Sequence, residues 1–326
     1  MKSAIGIDIG GTNIKVVHIS EEGDILTSLT EPTPASPGAS SEDVKNVVIK
    51  IFRNILNDNV IGIGFGIAGL IDRKNGIVIE SPNIPAINGF TVKKTFAKEF
   101  SLPIIVENDA NTYAYGEKWL GTGKDFNNFA VLTIGTGIGG GIIYKGELFE
   151  GAVEIGHMVI EPQGRFCTCG SFGCLESYAS GRAIVDSTII SLERGTKSLL
   201  TECCDGNFYK ITPELIYKTA LDGDNLSREI FREIGRYLGI GIANLANIFS
   251  PEAVILGGGL IGAWDLFIDE LKKEFSKRAL KSLSANIKIL KTTMKEDSGS
   301  IGAAGLIFKT INQSGFPRKN TVQSSI

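Results

Sequence analysis

Two stretches of the chain carry the same pattern of apolar and polar positions. Ile5 to Ile19 reads as an Ile/Val-rich strand, a tight turn at Gly10-Gly11-Thr12 and a second strand. Phe129 to Tyr144 repeats the pattern, with its turn at Gly135-Thr136-Gly137. Such turns need glycine where φ is positive or where a ligand comes close. The repeat predicts two similar domains facing each other across a cleft.

The remaining pattern fills in α/β elements. Val60 to Gly66 predicts a strand, and Thr91 to Phe100 a helix. Pro103 to Val106 is a short buried strand that ends in Glu107-Asn108-Asp109-Ala110-Asn111, and a helix then runs towards Leu120. Gly121 to Lys124 marks the crossing into the second domain. From Arg228 to Phe249, Ile230, Ile234, Leu238, Ile242, Leu245 and Phe249 recur on one helical face. Gly235, Gly239 and Gly241 within that helix predict close packing against another backbone. A strand at Ala253–Leu256, a turn at Gly257–Gly259 and another helix follow. Ser298 to Phe308 predicts a last helix with a small-residue face, and the polar residues after Thr310 are expected to fray. The expected domains are residues 1–118 with 299–326, and residues 119–298.

Composition narrows the functional class. The 326 residues suffice for two domains with real cores, at 43% hydrophobic and 21% charged. A net charge of −3 argues against a broad nucleic-acid face. No apolar run approaches the ~18 residues of a membrane span. The strand pattern begins at once after Met1, which leaves no room for a signal peptide, so a cytoplasmic protein is expected.

The candidate chemistry lies in loops. Asp8 stands at a strand end beside a turn whose backbone N–H groups can hold phosphate oxygens, and its carboxylate can hold magnesium. Gly135, Gly137 and Gly140 spell G-x-G-x-x-G, but Ile142 to Tyr144 continues as a strand, which excludes a Rossmann dinucleotide site. No G-x-x-x-x-G-K-[ST] occurs. Two hairpin loops plus the glycine turn at Gly257–Gly259 fit the actin/hexokinase arrangement. His157, Cys167, Cys169 and Cys174 form a tetrahedral donor set suited to structural zinc. Cys203 and Cys204 carry no partner pattern and read as ordinary thiols.

Together these residues resemble the ROK family of sugar kinases and sugar-responsive repressors. The most specific segments are Leu132 to Gly141, Glu154-Ile-Gly-His157, and Cys167-Thr-Cys-Gly-Ser-Phe-Gly-Cys-Leu-Glu176. The resemblance implies two actin-like (ribonuclease H-like) ATPase domains with an interdomain cleft. It implies an ATP-dependent, glucokinase-like enzyme with Mg²⁺ on Asp8 and structural Zn²⁺ on the His/Cys set. Gly10, Gly11, Thr12 and Asn13 would hold ATP from one side, Gly135, Thr136 and Gly137 from the other, and Gly258 and Gly259 would lie under the adenosine. Gly69, Asn83, Asn108 and Asp109 would reach the sugar, with Glu154, His157 and Glu176 around its other hydroxyls. Asp109 is the expected catalytic base, taking the proton of the 6-hydroxyl. A homodimer or homotetramer is expected, and the charge and the lack of a long apolar run predict that it binds neither nucleic acid nor membrane.

Two departures bear on the sugar. Family members often carry a Trp after Pro-Asn-Leu-Pro, where this chain has Pro82-Asn-Ile-Pro-Ala-Ile-Asn88. The loop from Glu150 to Glu154 is shorter than the usual segment. Glucose is the expected substrate, with N-acetylmannosamine or N-acetylglucosamine as the alternative. ROK repressors place a helix-turn-helix before the first glycine loop, and here that loop begins at Ile5, so a repressor is the less favoured reading.

Overall fold

The computed structural model describes residues 1–34, 36, 38–294 and 297–314. The chain forms two compact units: Met1–Trp119 together with the segment from Asp297 onward, and Leu120–Glu296.

The first unit is built on strands β1 (Ser3–Ile9), β2 (Asn13–Ser20), β3 (Ile25–Pro32), β4 (Val60–Ile67) and β7 (Ile104–Asn108), with a small hairpin of β5 (Leu70–Asp72) and β6 (Ile77–Glu80). The sheet runs β3-β2-β1-β4-β7, its first two pairings antiparallel and its last two parallel. Helices α1 (Ser41–Ile55) and α2 (Val92–Phe100) cover one face, and α3 (Asp109–Trp119) follows β7. A capping box between Ser40 and Asp43 starts α1, which buries Val44, Val48, Ile51, Phe52 and Ile55.

The second unit repeats the plan. Its strands are β8 (Phe129–Ile134), β9 (Ile138–Tyr144), β10 (Glu147–Leu148), β11 (Ala253–Gly257) and β12 (Lys288–Lys291). They are ordered β10-β9-β8-β11-β12, again two antiparallel pairings followed by two parallel ones. The apolar repeat in the sequence is thus the central hairpin of each sheet. Helices α4 (Glu176–Ala179), α5 (Gly181–Glu193), α6 (Leu200–Cys203), α7 (Pro213–Leu221), α8 (Asn225–Phe249), α9 (Trp264–Arg278) and α10 (Lys281–Ser284) surround it. Asp224 caps α8 through Ser227, and the Ile230–Leu245 stripe is buried. A side chain at Gly239 would come within 2.6 Å of the Leu271 carbonyl, so α8 and α9 pack backbone to backbone.

The last helix, α11 (Ser298–Ser314), returns to the first unit. It continues past Thr310, where the sequence predicts fraying; residues 315–326 lie outside the described residues. β4 explains how α11 docks. Its run Val-Ile-Gly-Ile-Gly-Phe-Gly-Ile alternates, so Ile63, Phe65 and Ile67 join the core beneath α1 and α2. Gly62, Gly64 and Gly66 face the other way, where side chains would collide with Ile307, Ala303 and Thr112. Gly302 of α11 lies against the Thr112 carbonyl and within 2.7 Å of the Gly116 nitrogen, measured from where its Cβ would stand. Both neighbours are backbone and cannot swing aside. Gly302→Ala is therefore expected to destabilise the protein by about 3 kcal/mol, at the upper end of overpacking costs. Gly262→Ala, where nothing stands within 4 Å, should be near neutral. Urea midpoints of the two variants test this.

Candidate active site and metal cluster

β1 and β4 set the first half of the site. Asp8 lies on the same face of β1 as Gly6, the face on which α11 packs, and its carboxylate lies beside Gly299. The following turn is held from β3's end: Thr33 Oγ1 donates to the Gly10 carbonyl at 2.7 Å and Thr33 N donates to the Thr12 carbonyl at 2.9 Å. Gly10 N donates to the Asn13 carbonyl at 3.0 Å, and Gly11 sits against Asn83.

The β7–α3 junction presents Asp109 as the first residue of α3, where the helix dipole favours a carboxylate. Asn108 fixes the turn: its Oδ1 accepts from Ala110 N (3.0 Å) and Asn111 N (3.2 Å), and its Nδ2 donates to the Gly69 carbonyl (3.0 Å). Beneath it, buried Glu107 accepts from Asn108 N at 2.8 Å and from Asn111 Nδ2 at 3.0 Å, and pairs with Arg73 at 2.9 Å. Gly69, Asn108 and Asp109 are thus brought together. Glu107 and Arg73, which the sequence reading missed, hold them there.

Three carboxylates share this region. Burial pushes the Asp8 carboxyl up to about 7; Asp109 adds to the shift, Lys15 opposes it and Asp297 adds a smaller push. Asp297, just before α11, was also missed, since nothing local in the sequence ties it to Asp8. Acidic oxygens so crowded that one takes up a proton near neutrality suit a hard divalent cation.

In the second unit the turn between β8 and β9 carries Gly135, Thr136 and Gly137. β9 runs antiparallel to β8, which bears out the exclusion of a dinucleotide fingerprint. None of Gly10, Gly11, Gly135 and Gly137 has a positive φ, which leaves close approach as the other expected ground for glycine in these turns. At Gly137 the close approach is to the Glu176 carboxylate, which a side chain there would displace, while a Cβ at Gly135 would meet nothing within 4 Å. Ile138 N donates to Glu176 Oε2 at 2.7 Å, and Gly181 N donates to the Gly135 carbonyl at 2.8 Å. Gly258 does have a positive φ of 88° and lies against the Ile134 backbone, so the Gly258–Gly259 turn adjoins this loop.

Glu154 precedes a single helical turn, Ile155–His157, that delivers His157 to three cysteines. The donor atoms of His157, Cys167, Cys169 and Cys174 all lie within 4.8 Å of one another and could hold a metal ion. Cys169 Sγ and Cys174 Sγ are 3.7 Å apart, and His157 Nδ1 and Cys167 Sγ 3.6 Å. A tetrahedral ion with Zn–S of about 2.3 Å and Zn–N of about 2.1 Å spans edges of about 3.8 and 3.6 Å, so the spacing fits zinc. Burial pushes the Cys167 thiol up, but hydrogen bonds from the Cys169 backbone and then Ser177, Cys169 and His157 outweigh it and bring it to about 7. Burial and the neighbouring thiols push Cys174 up to about 12. Cys203 and Cys204 stand outside the cluster, Cys204 buried with its thiol on the Thr201 carbonyl at 3.7 Å.

The duplicated sheet with a glycine hairpin at the centre of each copy defines a two-domain actin-like ATPase fold. The chain belongs to the ROK family, whose family model matches residues 4–310. It is 34% identical over 312 residues to a glucokinase of Thermotoga maritima, covering 94% of this chain and 98% of the relative. A crystal structure of a ROK family glucokinase from Streptomyces griseus in complex with glucose and AMPPNP superposes with a TM-score of 0.81 at 34% identity, over 94% of this chain and 99% of that one. A xylose repressor of Caldicellulosiruptor bescii is 30% identical over 94% of this chain and 78% of the repressor. Among the described residues no helix is long and apolar enough to cross a membrane.

Proposed function

We propose that this ATP-dependent sugar kinase phosphorylates glucose on its 6-hydroxyl, with Asp109 as the base. The observation that carries the reading is the Asp109 carboxylate, which accepts from Ala110 N at 2.9 Å at the start of α3, follows the residue fixed by the Asn108–Glu107–Arg73 clamp, and is close enough to Asp8 to perturb it. Phosphoryl transfer asks for little covalent help beyond a positioned hydroxyl, a proton acceptor and neutralised charge. Asp109 accepts the proton of the 6-hydroxyl as that oxygen bonds to the γ-phosphorus. The bond between the γ-phosphorus and the bridging oxygen breaks, and ADP leaves with the electron pair.

The chain's own groups supply the rest. The turns Gly10–Asn13 and Gly135–Gly137 hold the phosphates, through the N–H groups of Gly11, Thr12, Thr136 and Gly137 in particular, and Gly258 and Gly259 lie along the adenosine. Asp8 would hold magnesium, which would supply neutralising charge to the triphosphate. Gly69, Asn83 and Asn108 orient the sugar with Asp109, and Glu154, His157 and Glu176 take further hydroxyls. With Nδ1 turned to Cys167, His157 keeps its other ring nitrogen for a hydroxyl, and zinc in the cluster would fix that orientation.

The relatives named glucokinase support glucose over other hexoses. N-acetylhexosamines are the second reading, favoured by the short Glu150–Glu154 loop and by a fold match (TM-score 0.77, 28% identity) to a putative N-acetylmannosamine kinase from Listeria monocytogenes. ADP release measured across glucose, mannose, N-acetylglucosamine and N-acetylmannosamine decides. Glucose should lead in kcat/KM by about ten-fold or more, because a site that hydrogen-bonds one hydroxyl rejects analogues lacking it. An N-acetyl sugar ahead by that margin removes glucose and leaves the kinase; no turnover with any sugar removes the kinase.

A further inference from the structure

We propose that Glu176 is a positioning residue that ties the metal cluster to the second glycine loop, so that an ion in the cluster governs how firmly that loop holds the nucleotide's phosphates. The inference rests on the reading of Gly135–Gly137 as a phosphate loop.

Glu176 follows the ligand Cys174 by two residues, and the intervening Leu175 is fully buried against Gly241 of α8, with its N–H on the Met158 carbonyl at 3.0 Å. The step from cluster to carboxylate therefore has little freedom. At its other end, Glu176 Oε2 accepts from Ile138 N at 2.7 Å. That amide closes the peptide after Gly137, so its direction sets the direction of the loop. Gly137 is what admits the carboxylate, since any side chain there would strike it.

A second contact converges on Ile138. Gly156, the residue before His157, packs against the Ile138 carbonyl so closely that a side chain would overlap it. Both sides of Ile138 are thus gripped by residues adjacent to cluster ligands, one beside His157 and one beyond Cys174. Without an ion the four donors lose their shared centre, and the two grips lose their common anchor. The carboxylate then no longer holds the buried Ile138 N–H.

The test uses the full chain and two readouts, both without sugar: hydrogen exchange at the Ile138 amide, and affinity for AMPPNP with magnesium by calorimetry. Glu176→Met and Cys169→Ser should each speed exchange and weaken AMPPNP by about ten-fold, the scale of one charge-assisted hydrogen bond. Glu176→Gln, whose side-chain oxygen still accepts but without the charge, should fall between wild type and Glu176→Met in both readouts. The double variant Glu176→Met/Cys169→Ser should be no weaker than either single variant, because both break the same chain of contacts. Exchange at Ile138 unchanged in Glu176→Met, or in Cys169→Ser, overturns the tie. Faster exchange with unchanged AMPPNP affinity overturns the link to nucleotide and, with it, the phosphate-loop reading.

Discussion

Asp109→Asn is expected to lower kcat for sugar phosphorylation by at least about 100-fold, since positioned acid–base groups contribute about 10²–10⁴. The substitution keeps size and shape. The Asp109 main-chain carbonyl still accepts from Thr112 Oγ1 at 2.8 Å, so α3 should start unchanged. The Asn108–Glu107–Arg73 clamp does not involve the Asp109 side chain and stays intact. What disappears is the acceptor for the hydroxyl proton, which must then leave without help as the oxygen attacks. Sugar affinity, measured by calorimetry, should change little, because an amide still offers an oxygen and gains a donor. The loss should therefore fall on kcat and equally on kcat/KM. Near-normal turnover in a folded Asp109→Asn protein removes Asp109 from the mechanism.

What the sequence could and could not reveal follows from the range of the interactions. The central hairpins were legible because apolar runs and glycine turns are local patterns. The long helix α8 was legible because its stripe and its glycines both express packing against α9. The alternating glycines of β4 carried the docking face of α11 in plain view, yet their meaning depends on a helix from the far end of the chain. Glu107 and Arg73 were silent for the same reason: each is an ordinary charge until the fold pairs them. Asp297 belongs to no motif in the sequence, and only the fold brings it near enough to act on Asp8. The end of α11 misled in the other direction. Its last residues are polar and partly exposed, which reads as fraying, while the backbone stays helical through Ser314. The cysteine cluster was the most legible site, because three of its four donors come from one short loop.

Protein purified without chelator is expected to carry about one zinc per chain, and Cys169→Ser to lose it. The cluster has one thiol already poised to ionise, Cys167 at about 7, and one strongly protonated, Cys174 at about 12. An ion must displace the Cys174 proton at any working pH, so zinc affinity should fall by at least about ten-fold per pH unit on acidification. Below about pH 7 the Cys167 thiolate is protonated as well, and the slope should steepen by a further factor of about ten per unit. Serine at position 169 cannot supply a thiolate, and it breaks the 3.7 Å Cys169–Cys174 edge of the donor set. The consequence should reach the sugar. Glu154 precedes and His157 ends one short helical turn whose orientation an ion would anchor, so glucose affinity should drop by about ten-fold when metal is removed. Elemental analysis of wild type and variant, paired with glucose calorimetry before and after chelation, checks both parts. Chelated protein that has lost its zinc but binds glucose with unchanged affinity would show that the cluster only stabilises its own loop and does not orient His157 for the sugar.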